Sequence, residues 1–467
     1  MKNVSIKRKA YSALMEWKRT MASRYAILVE GARRVGKTYL IKDFVQREYE
    51  SSIYIDFSQK SSLSVAARKA FSEEEDVTGV LERLSIIYGV RLVPGNSCLV
   101  FDEVQRFPQA REMIKGFMEH GKYHFIESGS LVGIKENTKD IVIPSEEHSL
   151  KLHPLDFEEF LVALGEEQLL DVVRKSFSEM KPLLDDFHKK AMRLFRLYMI
   201  VGGMPQALLA YLENDDDRLN QAELAKREIL ALYDRDIGKY ASGYASKVRA
   251  LFRMIPSALN THEKKFRLAD VDPNARMRRY ENAFLWLADA MLVNIAYNSE
   301  SPDIGLGMNI ENTLLKCYSL DTGLLVTQSF TGSPDVDSRL LRGILYDNLG
   351  VNEGMFFENA IAQTLVANDN DLFFYTQKNK EEKGGVMEID FLFRNGIKIS
   401  PLEVKSAQYR RHASLDRFIG AFSKRLGRKY VVCGGNLEVV DDIIYLPAYM
   451  AHLLGEKLQA FADTQKL

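Results

Sequence analysis

The residues Gly31-Ala32-Arg33-Arg34-Val35-Gly36-Lys37-Thr38 have the spacing G-x-x-x-x-G-K-T. Glycines at both ends let the main chain turn tightly and aim its N–H groups at an anion, so Gly31, Arg33, Arg34, Val35 and Gly36 are expected to cradle phosphates. Lys37 can reach the β- and γ-phosphates, and the Thr38 hydroxyl can ligate Mg²⁺. A second group follows at the end of the apolar run Cys98-Leu99-Val100-Phe101. There Asp102 is expected to hold Mg²⁺ and Glu103 to polarise an attacking water. Ser128 and Ser130, in Ser128-Gly129-Ser130, are small polar groups that could sense the γ-phosphate or fix that water. Together these residues describe ATP binding with Mg²⁺ and phosphoryl transfer to water.

A different chemistry is suggested near the carboxyl end by Asp390, Glu403 and Lys405. Two carboxylates can share one or two Mg²⁺ ions, and a lysine can orient the water that attacks a phosphodiester. Glu358 could add a third carboxylate. The metal-ligating set expected from the whole chain is therefore Thr38, Asp102, Glu358, Asp390 and Glu403. Acids and a lysine on one sheet face cost free energy unless they pair or take a metal, which is the physical reason to suspect a site. From Leu372 to Val431, thirteen Lys or Arg stand against six Asp or Glu, among them Lys378, Lys380, Lys383, Arg410, Arg411, Lys424, Arg425, Arg428 and Lys429. Such a basic surface suits a polyanion, DNA or RNA.

These side chains need elements to place them. Tyr25 to Glu30 reads as a buried strand before the glycine loop, and Leu40, Ile41, Phe44, Val45 and Tyr49 recur at helical spacing after it. Ile53 to Phe57 and Tyr123 to Glu127 are further strands. Strands alternating with helices predict a parallel α/β sheet with its site at the strands' carboxyl ends. Residues 140–190 are acidic, and Asp156, Glu158 and Glu159 are expected on a solvated helical face. Arg193 to Tyr198 and Gln206 to Leu212 read as helices separated by Gly202-Gly203-Met204-Pro205. Asp272-Pro273 looks like a helix start, followed by Arg276, Arg278 and Arg279 and the stripe Tyr280, Phe284, Leu287 and Met291. Two strand-like runs come next, Asn294 to Tyr297 and Leu314 to Leu320, which together suggest a winged-helix-like unit. Near the end, a helix carries Glu358, and strands are expected at Phe373 to Tyr375, Glu388 to Phe393 and Ile399 to Lys405. Pairing the last two in a hairpin brings Asp390, Glu403 and Lys405 together.

The organisation expected is a P-loop ATPase domain over 1–150, a helical lid or linker over 151–254, a winged-helix-like domain over 255–334 and an α/β domain over 335–467. The 467 residues carry a formal net charge of -1, with 46 % apolar and 27 % charged residues, ordinary globular usage that excludes a polycationic coat or a long disordered tail. Cys98, Cys317 and Cys433 are far apart and form no Cys-x-x-Cys pair, which speaks against a disulfide scaffold or cysteine zinc site and for a reducing compartment. No run reaches the roughly 18 apolar residues of a membrane span, so a cytoplasmic protein without membrane contact is expected.

The chain resembles the prokaryotic ATPases that join an N-terminal AAA-type domain to a C-terminal domain of uncharacterised function. The resemblance runs through Gly31 to Thr38, Phe101-Asp102-Glu103-Val104-Gln105, Ser128-Gly129-Ser130 and Pro154-Leu155-Asp156-Phe157-Glu158-Glu159-Phe160. It continues through Gly202-Gly203-Met204-Pro205, Asp321-Thr322-Gly323-Leu324-Leu325, Glu358-Asn359, Glu388-Ile389-Asp390-Phe391 and Glu403-Val404-Lys405-Ser406. It implies a PD-(D/E)XK nuclease-like fold at the C-terminus, over 335–467, and a winged helix before it. Relatives carry Gly-Arg shortly before the Pro-Leu-x-Phe block, where this chain has Ile143-Pro144-Ser145-Glu146-Glu147-His148. An arginine assisting hydrolysis must then come from elsewhere, such as a neighbouring subunit of a homo-oligomer, or turnover is slow. The function expected is an ATPase whose nucleotide state controls a Mg²⁺-dependent nuclease-like domain. The alternative is a nucleotide-regulated DNA- or protein-binding module with an inert nuclease-like fold.

Overall fold

The computed structural model describes residues 6–74, 76–129, 145–241, 243–261, 264–266, 277–330, 341–343, 345, 353–377 and 387–454. The chain divides into two compact units. The first runs from Lys7 to His153 with Asp289–Met291, and the second takes the rest.

In the first unit, helix α1 (Lys9–Thr20) precedes strand β1 (Ala26–Glu30), whose five residues are all buried. Helix α2 (Lys37–Glu48), β2 (Ser51–Asp56), α3 (Ser62–Glu73), α4 (Val77–Tyr88), β3 (Ser97–Asp102), α5 (Pro108–Glu112), α6 (Ile114–His120), β4 (His124–Gly129) and β5 (Glu147–Lys151) follow. The five strands are parallel in the order β2-β3-β4-β1-β5. Alternation of side chains across each strand splits the core in two. Ile27, Val29, Cys98, Val100 and Ile126 pack with Leu14 and Trp17 of α1 and with Leu40, Ile41, Phe44 and Val45 of α2. Leu28, Ile55, Leu99, Phe101 and Phe125 face α3, α4 and α6 through Phe71, Leu84 and Phe117. Placing β4 between β1 and β3 sets the end of β4 beside both the glycine loop and the acids of β3.

One buried cluster sits among these apolar residues. Glu127 of β4 has no exposed surface. It faces Glu147 of β5, which Arg111 of α5 binds at 2.8 Å. Burial, and then the neighbouring acid, push the Glu127 carboxyl well above its usual range. A carboxyl raised on folding keeps a proton that the unfolded chain gives up. Its contribution to stability is therefore complete below the unfolded value of about 4.3 and is lost as pH rises toward the folded value. Glu127→Gln should abolish that loss. In urea unfolding the variant should gain on wild type between pH 5 and pH 7.5, and parallel pH profiles would show that Glu127 does not carry the proton.

The second unit opens with helices at Phe157–Ala163, Glu167–Glu179, Asp185–Val201, Pro205–Glu213, Arg218–Tyr240 and Ala245–Leu259. The solvated face expected for Asp156, Glu158 and Glu159 is not what forms: all three are buried. Asp156 and Glu159 close a capping box, each side chain bonding the other's backbone N–H. Glu158 pairs with Arg174. Their acidity thus serves a helix N-terminus and an ion pair rather than water.

An eight-stranded mixed sheet completes this unit, ordered β12-β13-β11-β10-β9-β8-β6-β7. Its strands are β6 (Val293–Ser299), β7 (Ile310–Ser319), β8 (Leu372–Gln377), β9 (Met387–Asn395), β10 (Lys398–Lys405), β11 (Lys429–Cys433), β12 (Glu438–Val440) and β13 (Ile443–Pro447). The ribbon expected within 255–334 exists as the antiparallel pair β6–β7. It is not a free wing, because β6 also pairs in parallel with β8. The sheet therefore crosses the boundary expected at 334/335, and β7 is its edge. The helix Met277–Asp289 precedes the ribbon, whereas Asp272-Pro273 and Arg276 lie outside the described residues. Among the described residues, no helix is long and apolar enough to cross a membrane. Cys98, Cys317 and Cys433 are free and buried.

Candidate functional site

The glycine loop joins β1 to α2, and Gly36 stands at the helix start with φ +102°, in the left-handed region open to glycine. Arg34 is left-handed too, at φ 69°. The Val35 carbonyl accepts from Arg8 at 3.0 Å, which ties the loop to the start of α1. Lys37 is buried and donates to the carbonyls of Gly31 at 2.8 Å and Ala32 at 3.1 Å. Its ammonium is thus stored on the loop that would hold phosphates. Burial lowers the Lys37 pKa, opposed by Glu103 and Asp102.

Asp102 is the hub of the site. Its Oδ2 accepts from Thr38 Oγ1 at 3.0 Å and from the Tyr54 hydroxyl of β2. Its Oδ1 accepts from Ser128 Oγ and, at 3.1 Å, from the Glu103 N–H. One carboxylate therefore links the first residues of α2 to the ends of β2, β3 and β4. Glu103 follows in the left-handed region at φ 55°, a costly conformation for a non-glycine residue that recurs at functional sites. Gln105 Nε2 holds its Oε2 at 2.7 Å. Burial raises the Glu103 pKa against the opposing charges of Lys37 and Arg33, which suits a group that polarises water. The donor set fits a nucleotide-bound Mg²⁺, a hydroxyl and a carboxylate oxygen meeting beside an ammonium.

In the second unit, the hairpin β9–β10 pairs Leu402 with Phe391 and brings Asp390, Glu403 and Lys405 together. Asp390 Oδ2 accepts from the Val404 N–H at 2.8 Å, and Lys405 lies 2.7 Å from Glu403 Oε1. Burial, then Asp390, raise the Glu403 pKa. Glu358, on the helix Gly354–Ala367, is wholly buried. It accepts from Lys264 and the Tyr318 hydroxyl, and its Oε1 lies 3.2 Å from Lys316. Burial opposes the Glu358 charge, yet the two lysines hold its pKa below the usual range. Among the described residues, no three His, Cys, Asp or Glu side chains gather as a metal-holding group.

Residues 23–161 match the AAA domain family. Residues 192–335 match a domain of unknown function (DUF8612), and residues 353–449 match another (DUF4143). The first of these matches spans the loop, the acid pair and all five strands, so it falls on the first unit, a parallel-sheet, P-loop ATPase-like α/β domain. No curated protein matches the chain. Among solved structures, a Walker-type ATPase of Pyrococcus abyssi is 15 % identical, over 70 % of this chain and 97 % of that one, with a TM-score of 0.43. The Aeropyrum pernix ORC1 protein in complex with DNA is also 15 % identical, over 73 % and 96 %, at 0.28. A signal transduction ATPase with numerous domains and a tetratricopeptide repeat sensor, from Pyrococcus horikoshii, is 11 % identical, over 79 % and 50 %, at 0.27.

Within the first unit, Gly31, Arg33, Arg34, Val35, Gly36, Lys37, Thr38, Asp102, Glu103 and Ser128 lie around one locus, while Ser130 lies outside the described residues. Nothing in the sequence marks Tyr54, because a tyrosine in an alternating strand reads as core. In the second unit, no motif in the sequence marks Lys316 or Lys264: Lys264 lies outside any helix or strand. Lys316 lies inside the apolar run of β7, where its only signal is a lone cation sharing a face with Tyr318.

Proposed function

We propose that this protein binds ATP with Mg²⁺ through Gly31 to Thr38 and Asp102 and hydrolyses it with Glu103. The observation that carries the reading is the Asp102 carboxylate, shared between Thr38 and Ser128 beside the stored Lys37 ammonium. On ATP binding, Lys37 exchanges the Gly31 and Ala32 carbonyls for phosphate oxygens, and the backbone N–H groups of the loop take the remaining charge. Thr38 and Asp102 would hold Mg²⁺, which when bound neutralises charge on the β- and γ-phosphates. Ser128 and Tyr54 keep Asp102 oriented, and Glu103 polarises the water that attacks. Arg33 is the nearby arginine whose charge acts on both Lys37 and Glu103. An assisting arginine from a second subunit fits the same reading, with the chain acting as a homo-oligomer.

The nucleotide state then governs the C-terminal part, a nuclease-like domain that grips DNA or RNA through its basic surface. Arg410, Arg411, Lys424, Arg425, Arg428 and Lys429 supply that surface among the described residues, while Lys378, Lys380 and Lys383 lie outside them. The proposed division keeps the ATPase domain at 1–150, the helical segment at 151–254 and the nuclease-like domain at 335–467, with β6 and β7 of 255–334 added to its sheet. The ion pairing of Glu358 and Glu403 favours a second reading, a domain that binds without cutting. Calorimetry tests the first step: Mg²⁺–ATP should give heat with wild type and at least about 100-fold weaker binding with Lys37→Ala, and no heat with folded wild type would refute it. Weakening of DNA or RNA binding with salt checks the second step.

A further inference from the structure

Four acids of the second unit take no part in nucleotide chemistry, and each has a lysine against it. Lys316 Nζ lies 2.9 Å from Glu388 Oε1, 3.2 Å from Glu358 Oε1 and 3.5 Å from Asp390 Oδ1, with no exposed surface. The ring of Phe374 closes one side, its centroid 5.2 Å from the ammonium. Lys264 takes the other oxygen of Glu358, Lys265 lies 3.8 Å from Glu388 Oε2, and Lys405 pairs with Glu403. The cluster therefore sets four acidic side chains against four lysines, a formally balanced count. Adding a divalent ion would leave two uncompensated positive charges in a buried place, at a large desolvation cost. The spacing points the same way. Mg²⁺ takes oxygens at about 2.0–2.1 Å and Ca²⁺ at about 2.3–2.6 Å. Three acids set 2.9–3.5 Å around one point make a cage sized for an ammonium, so the residues as arranged do not fit a divalent ion.

The topology brings the lysine and the acids from different elements. The acids stand on the inner strands β9 and β10 and on the helix Gly354–Ala367, whereas Lys316 is delivered by β7, at the edge of the sheet. β7 pairs with β6 alone as a strand, and it is held by the Phe266 N–H on its Leu315 carbonyl at 2.9 Å and by Asn359 on its Ser319 N–H at 2.8 Å. Glu403 Oε2 is also buried with no hydrogen-bond partner among the described residues, an acceptor left open for an incoming group.

We propose that Lys316 is the resident cation of the C-terminal acid cluster, holding the place between Glu358, Glu388 and Asp390 and excluding divalent ions from it. The proposal deepens the reading of this part as nuclease-like and rests on it. It makes Lys316 a positioning residue rather than a catalytic one.

The test titrates the full-length protein with Mn²⁺ alone, without nucleotide, and counts bound ions from the electron paramagnetic resonance of the free ion. Wild type and Asp390→Asn should bind equally, since any ion held by Thr38 and Asp102 is common to both. Lys316→Met should bind one more Mn²⁺, and adding Asp390→Asn should abolish that gain. Loss of an ion from wild type on Asp390→Asn would overturn the proposal, as would a folded Lys316→Met that gains none. Should Lys316→Met lose its circular dichroism, the wild-type and Asp390→Asn pair still decides the matter. A Lys316→Met protein that gains Mn²⁺ yet cuts no DNA or RNA supports Lys316 as the resident cation while refuting the nuclease reading, so the two fail separately.

Discussion

Glu103→Gln leaves ATP bound and slows its hydrolysis by at least about 100-fold, the low end of what a positioned acid–base group contributes. The amide has the shape of the carboxylate and can keep an interaction with Gln105, which holds the Glu103 side chain at 2.7 Å. It has no negative charge with which to polarise water. None of the phosphate contacts expected from Lys37, Thr38 and the loop depends on Glu103, so the ATP dissociation constant should move by only a few-fold. Lys37→Ala behaves differently, because it removes the ammonium that phosphates would draw off the Gly31 and Ala32 carbonyls. That variant should lose binding and turnover together. Phosphate release measured at saturating ATP, beside calorimetry, separates the two patterns. A Glu103→Gln protein that turns over within three-fold of wild type would remove Glu103 from the mechanism and leave Asp102, which touches Thr38 and Ser128, as the acid to test next.

The grouping of the loop with Asp102 was legible because its parts are close in the chain or announce themselves locally. The glycine spacing, the apolar run into Asp102 and the helical stripe after Thr38 each follow from short-range geometry. The hairpin that joins Asp390 to Glu403 and Lys405 was legible for the same reason, since two neighbouring strands with one turn leave little freedom. What stayed hidden depends on pairings between distant segments. Lys316 meets Glu358 across 42 positions of sequence, and no local pattern says that a lysine in an apolar strand is buried against an acid on a later helix. The β6–β7 ribbon was visible as two strands, but its attachment to β8 is a long-range choice made by the sheet. Asp156, Glu158 and Glu159 misled in the opposite direction. Acid-rich segments are usually solvated, and here a capping box and one arginine were enough to bury three of them.

The blocks that no nucleotide chemistry explains have a common structural site, and Asp321 is its centre. Its Oδ1 accepts from the Leu324 N–H at 2.9 Å, capping the helix Thr322–Ser329. Its Oδ2 accepts from the Gly203 N–H at 2.6 Å and from Gln363 Nε2 at 3.3 Å. Gly203 in turn accepts from the Leu155 N–H at 2.7 Å, and a Cβ at Gly203 would stand 2.1 Å from the Leu155 carbonyl oxygen, which no rotamer can relieve. Tyr198 donates to that same carbonyl and accepts from Gln363, while Asn359 bonds Thr322 and Ser319. Pro154-Leu155, Gly202-Gly203, Asp321-Thr322-Gly323 and Glu358-Asn359 are therefore joined by one buried hydrogen-bonded network. Because both Asp321 oxygens act as acceptors of backbone N–H groups, Asp321→Asn keeps the shape and fails the chemistry: its NH₂ must face either Gly203 N–H or Leu324 N–H. An unsatisfied buried donor costs about 1–3 kcal/mol, and a lost bond to a charged group about 1.5–3 kcal/mol. The expected destabilisation is about 3 kcal/mol, with faster hydrogen exchange at the Gly203 and Leu324 amides, and Asp321→Ala should cost as much or more. Chemical denaturation with exchange measured at those two amides reads both effects. A loss below about 0.5 kcal/mol for Asp321→Asn would mean that one of the two N–H groups finds another acceptor, and the convergence of these blocks would then need a reason other than a shared carboxylate.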